Sequence, residues 1–400
     1  MPKLATMGVA TDSRLSRLFY LGPFITMMDR YCIAPMLIPI ALSLRVPLSA
    51  AAGVATWYYL AYGLMPPVYG VLSDRFGRVR IIRGALAGVA VSDTLAALAP
   101  NLTALLVARA ATGAIACGVL PLSLVYLGDR FPFAVRQQAI ADLLVWVALG
   151  TTAGTVGAGL ITHVATWRLV FLVPAALAGT LALLLRDLPE TLAGPATAKP
   201  LAQVREVFTR PWALLLFGLA LFEGAVMFGF VTYLAPALEA RGQSAAVAGL
   251  VVGAYGLAVL LGTRAFRGVA RLVAPPLILA LGACLMMGGL LLAARAQVAA
   301  SILVASLLVG GAYAFMHSTM QTWATDIVPE ARGTAASLFV MFVFIGASIA
   351  TSSMAGLAGS HRFTSLFLIG AAVTTPLLLV GTIARWRYRG SEPAAPAVSA

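Results

Sequence analysis

Long apolar runs alternate with short polar connections along almost the whole chain. About twenty consecutive apolar residues let an α-helix cross a bilayer core, and twelve such runs can be marked. In the first half they cover residues 18–41, 52–72, 81–99, 103–127, 138–162 and 167–185. In the second half they cover 212–238, 245–263, 273–293, 298–323, 334–358 and 363–384. The one long polar segment lies between the halves, from Arg186 to Arg210, with Pro189, Pro195 and Pro200 in it. The pattern predicts an all-α integral membrane protein of twelve transmembrane helices in two six-helix bundles. Residues 1–185 would form the N-terminal bundle, 186–211 a linker, 212–390 the C-terminal bundle and the Pro/Ala/Ser-rich 391–400 a disordered tail. The first run is too long for a signal-peptide core and lacks a convincing cleavage site, so it is read as a retained span.

Composition supports the same class. Hydrophobic residues make up 61% of the chain and charged ones 10%, where a soluble protein carries about a quarter charged. The net charge of +13 raises the question of nucleic acid, but the basic residues sit in connections between apolar runs and form no basic face. Their distribution reports topology instead. With both termini on one side, that side carries twenty of the 27 Lys and Arg residues, the other five, and two lie within spans. By the positive-inside rule the richer side, with both termini and the linker, is cytoplasmic. Cys32, Cys117 and Cys284 fall inside apolar runs without CxxC spacing, and His163, His317 and His361 are scattered. Neither a disulfide nor a metal site is expected, and no P-loop pattern occurs.

One connection has more than charge. Gly70-Val-Leu-Ser-Asp74-Arg75-Phe-Gly77-Arg78-Val-Arg80 joins the second and third spans, an acid among arginines bracketed by glycines that permit a sharp turn and close backbone approach. It resembles the loop between helices 2 and 3 of the major facilitator superfamily, a large family of secondary transporters. Leu106-Val-Ala-Arg109-Ala-Ala-Thr112-Gly113 resembles that family's helix 4 motif, with threonine where glutamine is common. Gly150, Gly154 and Gly159 resemble its helix 5 antiporter motif in part, since Thr155 stands for a proline and Ala158 for a glycine. Trp167-Arg168-x-x-Phe171 opens the sixth span, and Pro329-Glu-Ala-Arg-Gly333 precedes the eleventh as in the drug:proton antiporter branch. The second-half counterpart of the first loop, Gly262 to Arg271, is basic but lacks the acid. The resemblance covers almost the whole chain. It implies two pseudo-symmetric bundles, alternating access, a bacterial inner-membrane location, a monomer and a proton gradient, with no cofactor, as energy source. It also implies a conformational latch of Gly70, Asp74, Arg75, Gly77 and Arg78 with Asp129 at the end of helix 4.

Ionisable residues inside the spans are the candidate chemistry, since each costs about 2.5–3.5 kcal/mol at the bilayer centre on insertion scales. At ~1.5 Å per residue, Asp29 lies ~18 Å and Glu223 ~16 Å from the cytoplasmic face, while Arg109 lies ~9 Å in from the opposite one. In a core of about 30 Å the three share a layer near the midplane. They are the candidate proton-coupling residues, Arg109 tuning Asp29; the competing reading is an ion pair pinning helix 1 to helix 4. Arg30 is expected to point away from Asp29. Asp93, also near midplane on the third span, is read as a buried structural hydrogen-bonding group. Asp142 and Trp146, one turn apart on the fifth span, and His317 and Gln321, similarly placed on the tenth, are candidates for a substrate cavity. Gly150, Gly154 and Gly159 are read as close helix packing. The expected activity is proton-coupled efflux of a small organic molecule or drug; the alternative is a proton symporter importing a sugar, carboxylate or siderophore.

Overall fold

The structure, a computed structural model, describes residues 18–131, 133–190 and 200–388; the side chains of Asp74, Phe133, Ala134, Val135, Pro200 and Leu201 lie outside that description. The expected tail and most of the linker's proline-rich part also lie outside it. Helix α1 is Leu21–Tyr31 continued, across a 41° bend, by Ala34–Leu44. Pro35 sits in a single 3₁₀ turn at the bend, where a missing N–H breaks the hydrogen-bond ladder. The run 52–72, expected as one unbroken second span, falls into Gly53–Leu64 and Pro66–Phe76, which with Leu48–Ala51 ahead of them make up α2. Its last break falls before Pro66 and Pro67, for the same reason. Ten further helices are each long and apolar enough to span: α3 (Arg78–Leu98), α4 (Leu102–Arg130), α5 (Arg136–Val164), α6 (Trp167–Asp187), α7 (Pro211–Glu239), α8 (Ala245–Val269), α9 (Pro275–Arg295), α10 (Ala299–Ile327), α11 (Pro329–Gly359) and α12 (Phe363–Arg387). α1 reaches that length only with its two arms counted as one span, and the broken α2 completes two sets of six helices among the described residues. A short helix, Pro200–Thr209, stands between α6 and α7, and Gln203 accepts a 2.8 Å hydrogen bond from Thr334 of α11.

The pairing repeats between the halves. In the first, α1 packs on α5, α2 on α4 and α3 on α6; in the second, α7 packs on α11, α8 on α10 and α9 on α12. The halves meet along two seams, α5 against α8 and α2 against α11, which the same two-fold relation exchanges. Glycine sets the closest approaches. A Cβ at Gly150 would run into the Phe24 carbonyl oxygen of α1, and one at Gly154 into that of Met28. On the α5–α8 seam, Gly159 faces the backbone of Ala245 and Gly249, and Gly256 faces Ala148 and Thr152. On the other seam Gly63 lies against Met341 and Phe344, and Gly359 against Ser49. Small residues let helix backbones touch where the membrane offers no hydrophobic drive to helix association.

Candidate functional site

The α3–α4 connection builds the first part of the site. Asn101 caps α4, its Oδ1 accepting from the Ala104 N–H at 2.9 Å, and Arg168 of α6 donates to the Ala97 and Ala99 carbonyls at the end of α3. The two helices therefore turn back tightly about residue 101. Asp93 stands eight residues before it and Arg109 eight after, so the two lie at the same depth and face each other. From α1, Asp29 reaches the same guanidinium. Arg109 Nη1 donates to Asp29 Oδ1 at 2.5 Å and to Asp93 Oδ1 at 2.9 Å, and Nη2 donates to Asp29 Oδ2 at 3.3 Å. Thr112, one turn along α4, lies 3.0 Å from both Asp93 Oδ1 and the Ser92 hydroxyl. Asp29, Asp93 and Arg109 are fully buried. The guanidinium lies between the rings of Tyr58 and Phe171, 4.6 and 4.9 Å from their centroids. Asp93, expected as a structural hydrogen-bonding group, thus belongs to the same ionic cluster as Asp29 and Arg109. Its distance from residue 101 was the available signal.

In the second bundle Glu223 on α7 is fully buried, and its Oε1 lies 3.0 Å from His317 Nδ1 on α10. Glu223 lies two residues before the π-helical turn Ala225–Phe230 of α7, and His317 is the last residue of the turn Tyr313–His317 in α10; such turns recur at functional sites. The structure thus joins two residues that the sequence placed in separate roles. Gln321 is exposed one turn further on. Asp142 accepts from Gln138 at 2.8 Å, and Trp146 packs edge-on against Phe24 of α1 at 5.8 Å. None of Asp142, Trp146, His317 and Gln321 lines the small cavity between the bundles, whose walls include Arg30, Tyr59, Phe228 and Tyr255. Tyr59 and Thr232, 3.1 Å apart, and Tyr31 and Tyr255, 3.4 Å apart, join the bundles there by side-chain hydroxyls.

At the end nearest the linker, Gly77 has φ +94°, a left-handed conformation that favours glycine, and it starts α3. Glu190, just after α6, clamps that start: its two oxygens accept from the N–H groups of Val79 at 2.8 Å and Arg80 at 3.0 Å. A carboxylate satisfies orphan donors and the helix dipole there. A Cβ on Gly77 would collide with the Glu190 carboxyl group. Arg78 is buried, 3.5 Å from Asp129 Oδ2 and 3.4 Å from the Ser73 hydroxyl, while Arg75 is exposed over the ring of Phe76. Among the described residues, nothing comes within 4 Å of the place a Cβ on Gly70 would take. The Asp74 side chain lies outside the described residues. Glu190 went unread in the sequence because it sits in the polar linker, where acids are ordinary.

Twelve helices in two bundles related by a repeated pairing, with buried ionic groups on α1, α3, α4 and α7, define a polytopic membrane protein built for charge inside the bilayer. The sequence profile of the Major Facilitator Superfamily matches residues 19–351: the chain belongs to that family. Among curated relatives, it is 29% identical over 155 residues to a triacylglyceride transporter of Mycolicibacterium smegmatis, 38% of this chain and 28% of that protein. It is 32% identical over 130 residues to the fatty acid resistance protein FarB of Neisseria gonorrhoeae, 32% of this chain and 26% of that one. The multidrug export protein EmrB of Haemophilus influenzae is 30% identical over 154 residues, 38% and 30% of the two chains. The matched stretch thus spans less than a third of each relative's length. Solved structures match over the whole fold: the nucleoside transporter NupG with TM-score 0.76 at 14% identity, covering 94% of this chain and all of that one, and the D-xylose-proton symporter with TM-score 0.72 at 17% identity, covering 93% and 97%.

Proposed function

We propose that the protein is a secondary active transporter that exports a small organic molecule in exchange for protons, by alternating access between its bundles. The observation that carries this reading is the Asp29–Arg109–Asp93 cluster. Two carboxylates share one guanidinium with no exposure to solvent. With both ionised, the cluster holds one uncompensated negative charge inside the membrane; one proton makes it neutral. A change in water access as the bundles rock would load and unload that proton. A purely structural ion pair would need one acid, not two, and buried pairs stabilise weakly. The resistance and multidrug-export relatives support export, and the linker side, richer in basic residues, is taken as cytoplasmic.

Everted membrane vesicles energised by respiration test the reading, with a fluorescent dye reporting the pH gradient. A panel of cationic, neutral and anionic compounds should include members that discharge the gradient in vesicles with the wild-type protein and not in vesicles with Asp29→Asn. If no compound discharges it, or Asp29→Asn responds like wild type, proton exchange at this cluster is ruled out. Gradient-driven movement in the same direction as the proton would instead establish symport.

A further inference from the structure

Arg30 follows Asp29 in α1 yet takes no part in its cluster. Neighbours on a helix point about 100° apart, so Asp29 turns into its own bundle while Arg30 turns to the gap between bundles. Its guanidinium lies 4.1 Å from the ring centroid of Tyr62 on α2 and 5.0 Å from that of Phe344 on α11. The residue is 7% exposed, and its Nε and Nη2 are shielded with no hydrogen-bond partner among the described residues. The carboxylates on the neighbouring helices are engaged elsewhere: Asp29 and Asp93 hold Arg109, and Glu223 meets His317. Arg30 also lines the small cavity between the bundles, together with Tyr31, Tyr59, Thr155, Phe228 and Tyr255.

A cation at this depth is costly, and each aromatic face returns part of that cost. Two rings can hold the guanidinium there, but they leave Nε and Nη2 without a hydrogen-bond partner among the described residues. An aromatic-walled cavity with donors of a buried, weakly hydrated guanidinium matches a planar anion on an apolar body. We propose that Arg30 anchors the carboxylate of an organic-acid substrate, whose apolar part lies against Tyr59 and Phe228 as the bundles part around it. This names the substrate class for the transport cycle proposed above and rests on that reading.

The test uses three probes with one apolar body and different charge: 4-phenylbutyrate, 4-phenylbutan-1-ol and 4-phenylbutylammonium. Their binding to the purified full chain in lipid nanodiscs is measured by calorimetry. The acid should bind wild type at least about tenfold more tightly than the alcohol, a difference of ~1.4 kcal/mol. Arg30→Gln should erase that preference and leave affinity for the alcohol unchanged; Arg30→Lys should keep part of it, as a point charge cannot form the two-pronged contact. The proposal is overturned if wild type binds the acid no better than the alcohol, if the ammonium binds best, or if Arg30→Gln keeps the preference. The wild-type comparison decides even where the variants fail to fold. In proteoliposomes with an imposed pH gradient, flux of the ammonium but not the acid would sink this assignment and leave proton-driven transport standing. Tight binding of the acid with no gradient-driven flux of any probe would do the reverse.

Discussion

At Arg109 one guanidinium serves two acids, and the charge arithmetic makes an unusual prediction. Asp29→Asn and Asp93→Asn each leave one acid against one base, a cluster that is neutral without a proton. Either substitution should therefore abolish gradient-driven flux while substrate exchange across the membrane, which needs no net proton movement, continues. The double substitution leaves Arg109 uncompensated, and breaking a buried pair in that way costs about 3–5 kcal/mol. Its melting temperature in detergent should fall well below those of both single variants. Gradient-driven flux surviving in Asp93→Asn would confine proton coupling to Asp29. The sequence made Asp29, Arg109 and Glu223 visible, because a charge in an apolar run of twenty stands out whatever surrounds it. It paired Asp29 with Arg109 but gave Glu223 no partner. The contact between Glu223 and His317 joins α7 to α10 across 94 residues, and no spacing rule reaches that far. Asp93 was within reach, since a tight turn at residue 101 places residues equidistant from it side by side.

Between helices, the glycines of α5 divide by what they face. Gly154 abuts the Met28 backbone of α1, whereas Gly157, one turn on, has nothing within 4 Å of an added Cβ. Overpacking a tight contact costs about 1–3 kcal/mol, so Gly154→Leu should lower the melting temperature and displace Asp29, which follows Met28. Gly157→Leu should leave melting and transport near wild type. Equal effects from the two would mean that helix propensity, not contact, decides. The helix count and most boundaries were legible from hydropathy alone, since length and apolar content are local properties. The interruptions were less so. The run 52–72 reads as unbroken by hydropathy although Pro66 and Pro67 signal the break in α2, and the π-helical turns of α7 and α10 leave no composition signal, being set by what packs around them.

Over the whole molecule, the bundles are joined at the end away from the linker, where Ser49 at the start of α2 meets Gly359 at the end of α11. The Ser49 Cβ lies 3.3 Å from the position a Cβ on Gly359 would take, near the 3.5–4.5 Å that a disulfide spans. Ser49→Cys with Gly359→Cys, in a version lacking the native cysteines, should cross-link on mild oxidation. Transport should stop and should return on reduction. Undiminished transport by the fully cross-linked protein would show that this end does not open during the cycle. What an opening there would involve follows from the α5–α8 seam. Gly159, Gly249 and Gly256 bring backbone against backbone there, so over that stretch few long side chains interlock and few rotamers must reset as the helices separate. The work of parting is then spread over shallow van der Waals contact, which acyl chains or an apolar cargo entering the gap can replace atom for atom. A seam of this kind would slide with little hysteresis, and the timing of a switch would pass to directional contacts that join the bundles beside it, the hydroxyl pairs Tyr31–Tyr255 between α1 and α8 and Tyr59–Thr232 between α2 and α7.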